Sequence, residues 1–325
     1  MGMDEKRLDQ KGEKKEQAVF RLNYIDKCYI IFIMKIDQNP FSIYDFLGYL
    51  IPGLFFLYGF MIIIEYDFLS VTITNPLNFA ELIPAANLQL DQYFIIIIIA
   101  YLIGHVLSYL SSMTVELYSI WTLGYPSRYI LNLKYPGFRQ NITKEPQKRK
   151  RLLKIMMTIY IFPVVLGDIT IRSILGIRNL LGKQLDPVIC KMIIKKIESY
   201  LTENFSKEDK DELKCDERTD FFNILYHYVL EKEPSHLSKL NNYVALYGFT
   251  RTLCFAVITM LWIIIIAGVG GRFSKWTTFA GVFLFLLAII LYFDFNKFYR
   301  KYSLETLMAF ASNYVSSHTS LCNKN

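Results

Sequence analysis

Residues 93–112 read YFIIIIIAYLIGHVLSYLSS. These 20 residues hold no Lys, Arg, Asp or Glu, and a helix of that length rises about 30 Å, the thickness of a bilayer's hydrocarbon core. The first half is almost pure isoleucine and suits lipid on every side. In the second half His105, Ser108 and Ser112 are spaced three and four apart. They share one helical face, which runs on to Glu116. Polar side chains within a membrane face protein or water. The stripe therefore has two readings, the wall of an ion path or a helix–helix contact bonded through small hydroxyls.

The rest of the chain agrees with a membrane setting. Of 325 residues 53% are hydrophobic, with 25 Phe and 23 Tyr, and the apolar excess is concentrated in blocks rather than spread as in a soluble domain. Cys28, Cys190, Cys215, Cys254 and Cys322 form no CxxC pair, which speaks against a zinc site or a disulfide framework and fits a reducing cytoplasm. Tyr29–Met34 is too short for a secretory signal, and Lys6 stands where myristoylation needs Ser or Thr.

Four apolar blocks emerge in order. Residues 1–40 are polar, with 1–17 expected to be disordered and Val19–Ile36 a short helix or strand. The first hairpin, 41–112, holds a span over Tyr44–Ile64, in which Pro52-Gly53 predicts a kink, and the second span Tyr93–Ser112. Between them Glu65–Gln92 has four carboxylates and no Lys or Arg, so the positive-inside rule sets it outside the cell. Residues 113–248 contain 21 Lys or Arg and are expected in the cytoplasm as a helical domain. That domain is basic over 113–196 and acidic over 197–248, including the run Glu203–Glu217, with helical periodicity in Leu185–Leu201 and Phe221–Leu230. Ile155–Leu166, broken by Pro163, reads as a core or interfacial helix rather than a fifth span. From Ser235 a helical pattern leads into the third span, Phe249–Val269, bracketed by Arg251 and Arg272. The fourth span, Thr277–Phe293, closes the second hairpin (249–293), and a basic tail, 294–325, follows. The fold class is thus an all-α polytopic membrane protein: four transmembrane helices, with a helical cytoplasmic domain inserted between the second and third. Both termini fall inside.

Enzyme signatures are missing: no HExxH, GxSxG, Walker loop or paired Cys–His spacing occurs. No catalytic residue, metal ligand or cofactor is therefore assigned. The sites that chemistry suggests are the stripe His105, Ser108, Ser112 and Glu116, read as pore-lining, and a basic set in the cytoplasmic domain. That set comprises Lys148, Arg149, Lys150, Arg151, Lys154, Arg172 and Arg178. Such a cluster either binds anionic lipid headgroups beside a span or seats a polyanion, with nearby Tyr125, Tyr129, Tyr135 or Phe138 stacking on bases.

Phe41-Ser-Ile-Tyr-Asp-Phe-Leu-Gly-Tyr-Leu-Ile-Pro-Gly53 resembles the first span of small bacterial membrane proteins from antiphage loci. With four spans, a basic insert after the second and a basic tail after Asp294, the layout over most of the chain resembles the transmembrane effector of the Hailong system. The resemblance implies a homotetrameric ion channel in the bacterial inner membrane. A single-stranded DNA oligomer made by a partner nucleotidyltransferase would hold it shut, and release of the oligomer would depolarise the infected cell. No individual residue is carried over from that family.

An oligomeric channel gated by a cytoplasmic polyanion is accordingly the leading expectation. A non-conducting sensor or scaffold that recruits a protein partner is the alternative. An enzyme acting on lipids ranks third, favoured by the membrane setting alone.

Overall fold

The structure is a computed structural model that describes residues 45–67, 90–133, 147–171, 183–204, 221–270 and 275–314. The expectations for residues 1–40, for Arg172 and Arg178, and for most of the acidic run lie outside the described residues. The chain divides into two compact units, residues 1–46 and 47–325, and every helix named here lies in the second.

Among the described residues 93% are helical and none is in a strand, as the scarcity of strand alternation predicts. The helices are α1 (Ile51–Asp67), α2 (Leu90–Ser111), α3 (Leu117–Leu123), α4 (Pro126–Ile130) and α5 (Lys148–Tyr160), then α6 (Phe162–Ile169), α7 (Pro187–Asn204), α8 (Phe221–Lys232), α9 (Pro234–Val269) and α10 (Lys275–Asn313). Ser112–Glu116 form a π turn that joins α2 to α3. Among the described residues four stretches are long and apolar enough to cross a membrane, those built on α1, α2, α9 and α10, and the bent pair α5–α6 makes a fifth if it is counted as one span.

Helices α1 and α2 approach as closely as backbones allow. A Cβ on Gly53 would fall 1.8 Å from the carbonyl oxygen of Ala100, and one on Gly104 would fall 1.9 Å from that of Tyr49. Ala100 and Gly104 thus form a small-xxx-small contact, the device by which apolar helices associate where no hydrophobic driving force separates protein from lipid.

Helices α9 and α10 are the backbone of the molecule. They run antiparallel, and each outlasts a bilayer: 36 and 39 residues rise about 54 and 58 Å, against about 30 Å of hydrocarbon. No Pro or Gly interrupts α10 after Asp294, so the helix continues to Asn313 where the residue pattern would also allow a tail. The two rods carry two hydrophobic clusters. At one end Ala256, Ile258, Ala288, Tyr292 and Phe295 pack with Leu107 and Val115 of the α2 region and with Ile161 and Val164. At the other end Leu240, Leu307 and Phe310 meet Ile193, Ile197 and Leu201 of α7 and Phe221, Leu225 and Val229 of α8. The spacing of three and four in α7 and α8 is what turns one side of each helix inward.

Gly124, at φ 84°, ends α3, and Pro126 opens α4 at a position where its missing N–H costs nothing. Helices α5 and α6 are bent from each other by 80°.

Candidate functional site

An ion pair lies where α2 gives way to its π turn. The Arg251 guanidinium, on α9, donates through Nη1 to the Glu116 carboxylate. Its Nε donates to the Ser111 hydroxyl at 3.1 Å and its Nη2 to that of Ser108 at 3.4 Å. Ser111 and Ser108 are buried, and the side chains of Arg251 and Glu116 are 11% and 21% exposed. Two charges removed from water to this degree stand because each answers the other and the hydroxyls take two further guanidinium donors.

The four residues of the predicted stripe separate. Ser108 and Glu116 converge on Arg251. His105 is exposed and stacks on the Tyr49 ring at 3.9 Å, with Tyr101 edge-on at 4.6 Å. Ser112 donates back to the Tyr109 carbonyl at 2.7 Å, on the open side of the helix. Ser111, which the stripe omits, takes the inward place. A π turn widens the helix from residue 112 onward, so the ordinary spacing loses register just there. A second polar layer follows one turn on: the Ser119 hydroxyl donates to Asn296 Oδ1 at 2.5 Å, and the Tyr118 hydroxyl to the Asp168 carboxylate at 3.5 Å.

A cavity of about 410 Å³ opens beside this cluster, lined by Tyr125, Arg128, Phe222, Tyr247, Tyr299 and Tyr302 together with Ser127, Asn223 and Ser303. Tyr247 stands one helical turn before Arg251 on α9, and Tyr299 is close enough to Glu116 to feel its charge. Arg128 lies over the Tyr125 ring, 5.8 Å from its centre. Aromatic faces, one guanidinium and a few neutral hydrogen-bonding groups are the chemistry that receives a base and its phosphate. Tyr125 is among the aromatics the sequence offers and Arg128 lies three residues on, whereas α8, α9 and α10 supply the other rings from far along the chain.

Of the basic set, Lys148, Arg149, Lys150, Arg151 and Lys154 form the opening turns of α5. The first four are exposed, and Lys154 turns its ammonium over the Trp121 ring at 5.5 Å. They lie beside the apolar helices. Among the cations that follow, Lys191 and Lys195 are exposed one turn apart on α7, whereas Lys196 is consumed internally, donating to the carbonyls of Ala311 and Tyr314.

Among the described residues no group of three or more His, Cys, Asp or Glu side chains is placed to hold a metal ion. No family model, no curated protein and no solved structure matches the chain.

Proposed function

We propose that the chain is one subunit of an oligomeric ion channel gated from the cytoplasmic side by a polyanion.

 The ligand the resemblance implies is a single-stranded DNA oligomer supplied by a partner nucleotidyltransferase, and the outcome is depolarisation of the bacterial plasma membrane in antiphage defence. The observation that carries this reading is the continuity of α9 and α10. The same two rods bear Tyr247, Tyr299 and Tyr302 of the aromatic cavity and, one turn from Tyr247, the Arg251 that neutralises Glu116. A ligand drawn in by Arg128 and stacked on those rings moves α9 directly. Shifting Arg251 off Glu116 leaves a carboxylate at the inner mouth, where it favours cations. His105 and Ser112 share one face of α2 with Glu116, edged by the His105–Tyr49 stack, and on this reading copies of that face surround the axis. A near-complete switch requires the ligand to prefer one state by about 5.5 kcal/mol.

Ion flux into liposomes that contain the purified protein tests the proposal. Arg128→Gln shifts the oligonucleotide concentration for half effect without changing flux in its absence, and Glu116→Gln lowers cation flux in the open state. Absence of flux with and without oligonucleotide ends the channel reading.

One observation favours the alternative of a non-conducting sensor. Within a single subunit Ser108, Ser111 and Glu116 are already satisfied by Arg251, as in a structural contact. On that reading the same ligand binds, no flux accompanies it, and a protein partner is recruited instead.

A further inference from the structure

The bend between α5 and α6 falls at Ile161, which is fully buried. Phe162 sets it against Trp262 and Phe285, with ring centres 5.4 and 6.2 Å away. The Tyr160 hydroxyl shares a hydrogen bond with that of Thr259 at 2.7 Å, and Trp262 Nε1 donates to the Tyr160 carbonyl at 2.7 Å. Gly167 of α6 lies against Ile289. All these partners belong to the middle of the apolar segments 249–269 and 277–293. The tip of the α5–α6 pair therefore reaches the middle of the layer that those segments occupy. From Tyr160 back to Lys148 the helix spans about 18 Å, against about 15 Å for half a hydrocarbon core. The cations that open α5 thus come level with the polar boundary. Trp121, under the Lys154 ammonium, is an aromatic of the kind that collects at that boundary.

Between α5 and α2 runs an apolar groove of about 780 Å³, walled by Leu102, Val106 and Leu110 on one side, Leu153 and Met156 on the other, and Phe56 behind. Arg149 and Lys150 stand four and three residues before Leu153, so they occupy the same face of α5 one turn nearer its start. They are thus one turn from the wall residue Leu153, at the end of α5 away from Tyr160, and α5 carries five cations and no carboxylate.

We propose that this groove holds one anionic phospholipid of the surrounding bilayer. Arg149 and Lys150 bind its phosphate, Lys148 and Arg151 flank it, and an acyl chain lies against Leu153 and Met156. Positive charge at the boundary and an apolar trough leading inward from it match the two ends of such a molecule. The assignment does not rest on the channel reading, since a conducting and a non-conducting protein hold the lipid equally.

Native mass spectrometry of the purified full chain, with phosphatidylglycerol and phosphatidylcholine of identical acyl chains as probes, tests it. The wild type retains phosphatidylglycerol about tenfold or more over phosphatidylcholine, given the strength of headgroup attraction to two cations. The triple variant Lys148→Gln, Arg149→Gln, Lys150→Gln brings that ratio close to one. Separately, Leu153→Trp with Met156→Trp fills the trough and removes retained lipid while the cations remain. Unchanged helical circular dichroism shows that both variants fold. Equal retention of the two lipids by the wild type overturns the proposal, as does undiminished preference in the triple variant. If the triple variant instead loses a bound single-stranded oligonucleotide and keeps its lipid, the basic run belongs to a nucleic-acid ligand.

Discussion

Arg251 and Glu116 pair across two helices that the chain separates by more than a hundred residues, and two serines of α2 complete the guanidinium's partners. Removing one member of a buried pair leaves the other charged, poorly solvated and alone, which costs about 3–5 kcal/mol. Arg251→Met therefore lowers the thermal unfolding midpoint in detergent well below that of the wild type. Adding Glu116→Gln to it restores most of the loss, because the remaining groups are neutral. Additive losses in the double variant would show that the two side chains do not act as a pair.

The α1–α2 contact predicts a contrast among glycines. Gly53→Ala and Gly104→Ala each drive a methyl into a backbone carbonyl of the facing helix, so both helices must separate. Gly281→Ala on α10 meets its nearest atom at 3.8 Å and gains helix propensity. Thermal unfolding in detergent is expected to fall by several degrees for the first two and to hold or rise for the third.

Lys196 closes the end of α10 by donating to the carbonyls of Ala311 and Tyr314. Those are carbonyls that a helix leaves without partners at its C-terminus, and a cation there also meets the negative end of the helix dipole. Lys196→Met is expected to cost about 1–2 kcal/mol. Amide hydrogen exchange should show faster exchange around residues 310–314 and little change at Ile193 and Ile197.

Burial, followed by the nearby Asp186 carboxylate, pushes the Cys190 thiol above its ordinary value, against a smaller opposing contribution from the Leu185 backbone. Only the thiolate alkylates, so a raised pKa lowers the reactive fraction at every pH below it. Iodoacetamide should modify Cys190 in the folded protein far more slowly than in denaturant, with reaction rising only at strongly alkaline pH. Rapid labelling at pH 7, mapped by peptide mass, would contradict that burial.

Much of the fold was legible before any coordinates. A run such as 93–112 has one low-energy disposition, since a backbone in hydrocarbon must satisfy its own hydrogen bonds and a helix does so within the segment. The unbroken pattern from Ser235 into the third span is likewise local information, and α9 follows it. Ile155–Leu166 announced its break at Pro163, and the bend falls two residues earlier at Ile161.

What tertiary structure decided is which groups meet. In sequence Arg251 marks only the edge of a span, and nothing in its neighbourhood names Glu116 as its partner. Ser111 stands at the guanidinium with Ser108, three residues before it on the same helical face, and which of Ser111 and Ser112 meets Arg251 is set by how α9 packs on α2. The aromatic cavity draws its rings from four separate parts of the chain, so it exists only once α9 and α10 have packed. Apolar length is a property of a segment and can be read from it, whereas a charge pair or a cavity depends on distances between segments, which packing alone sets.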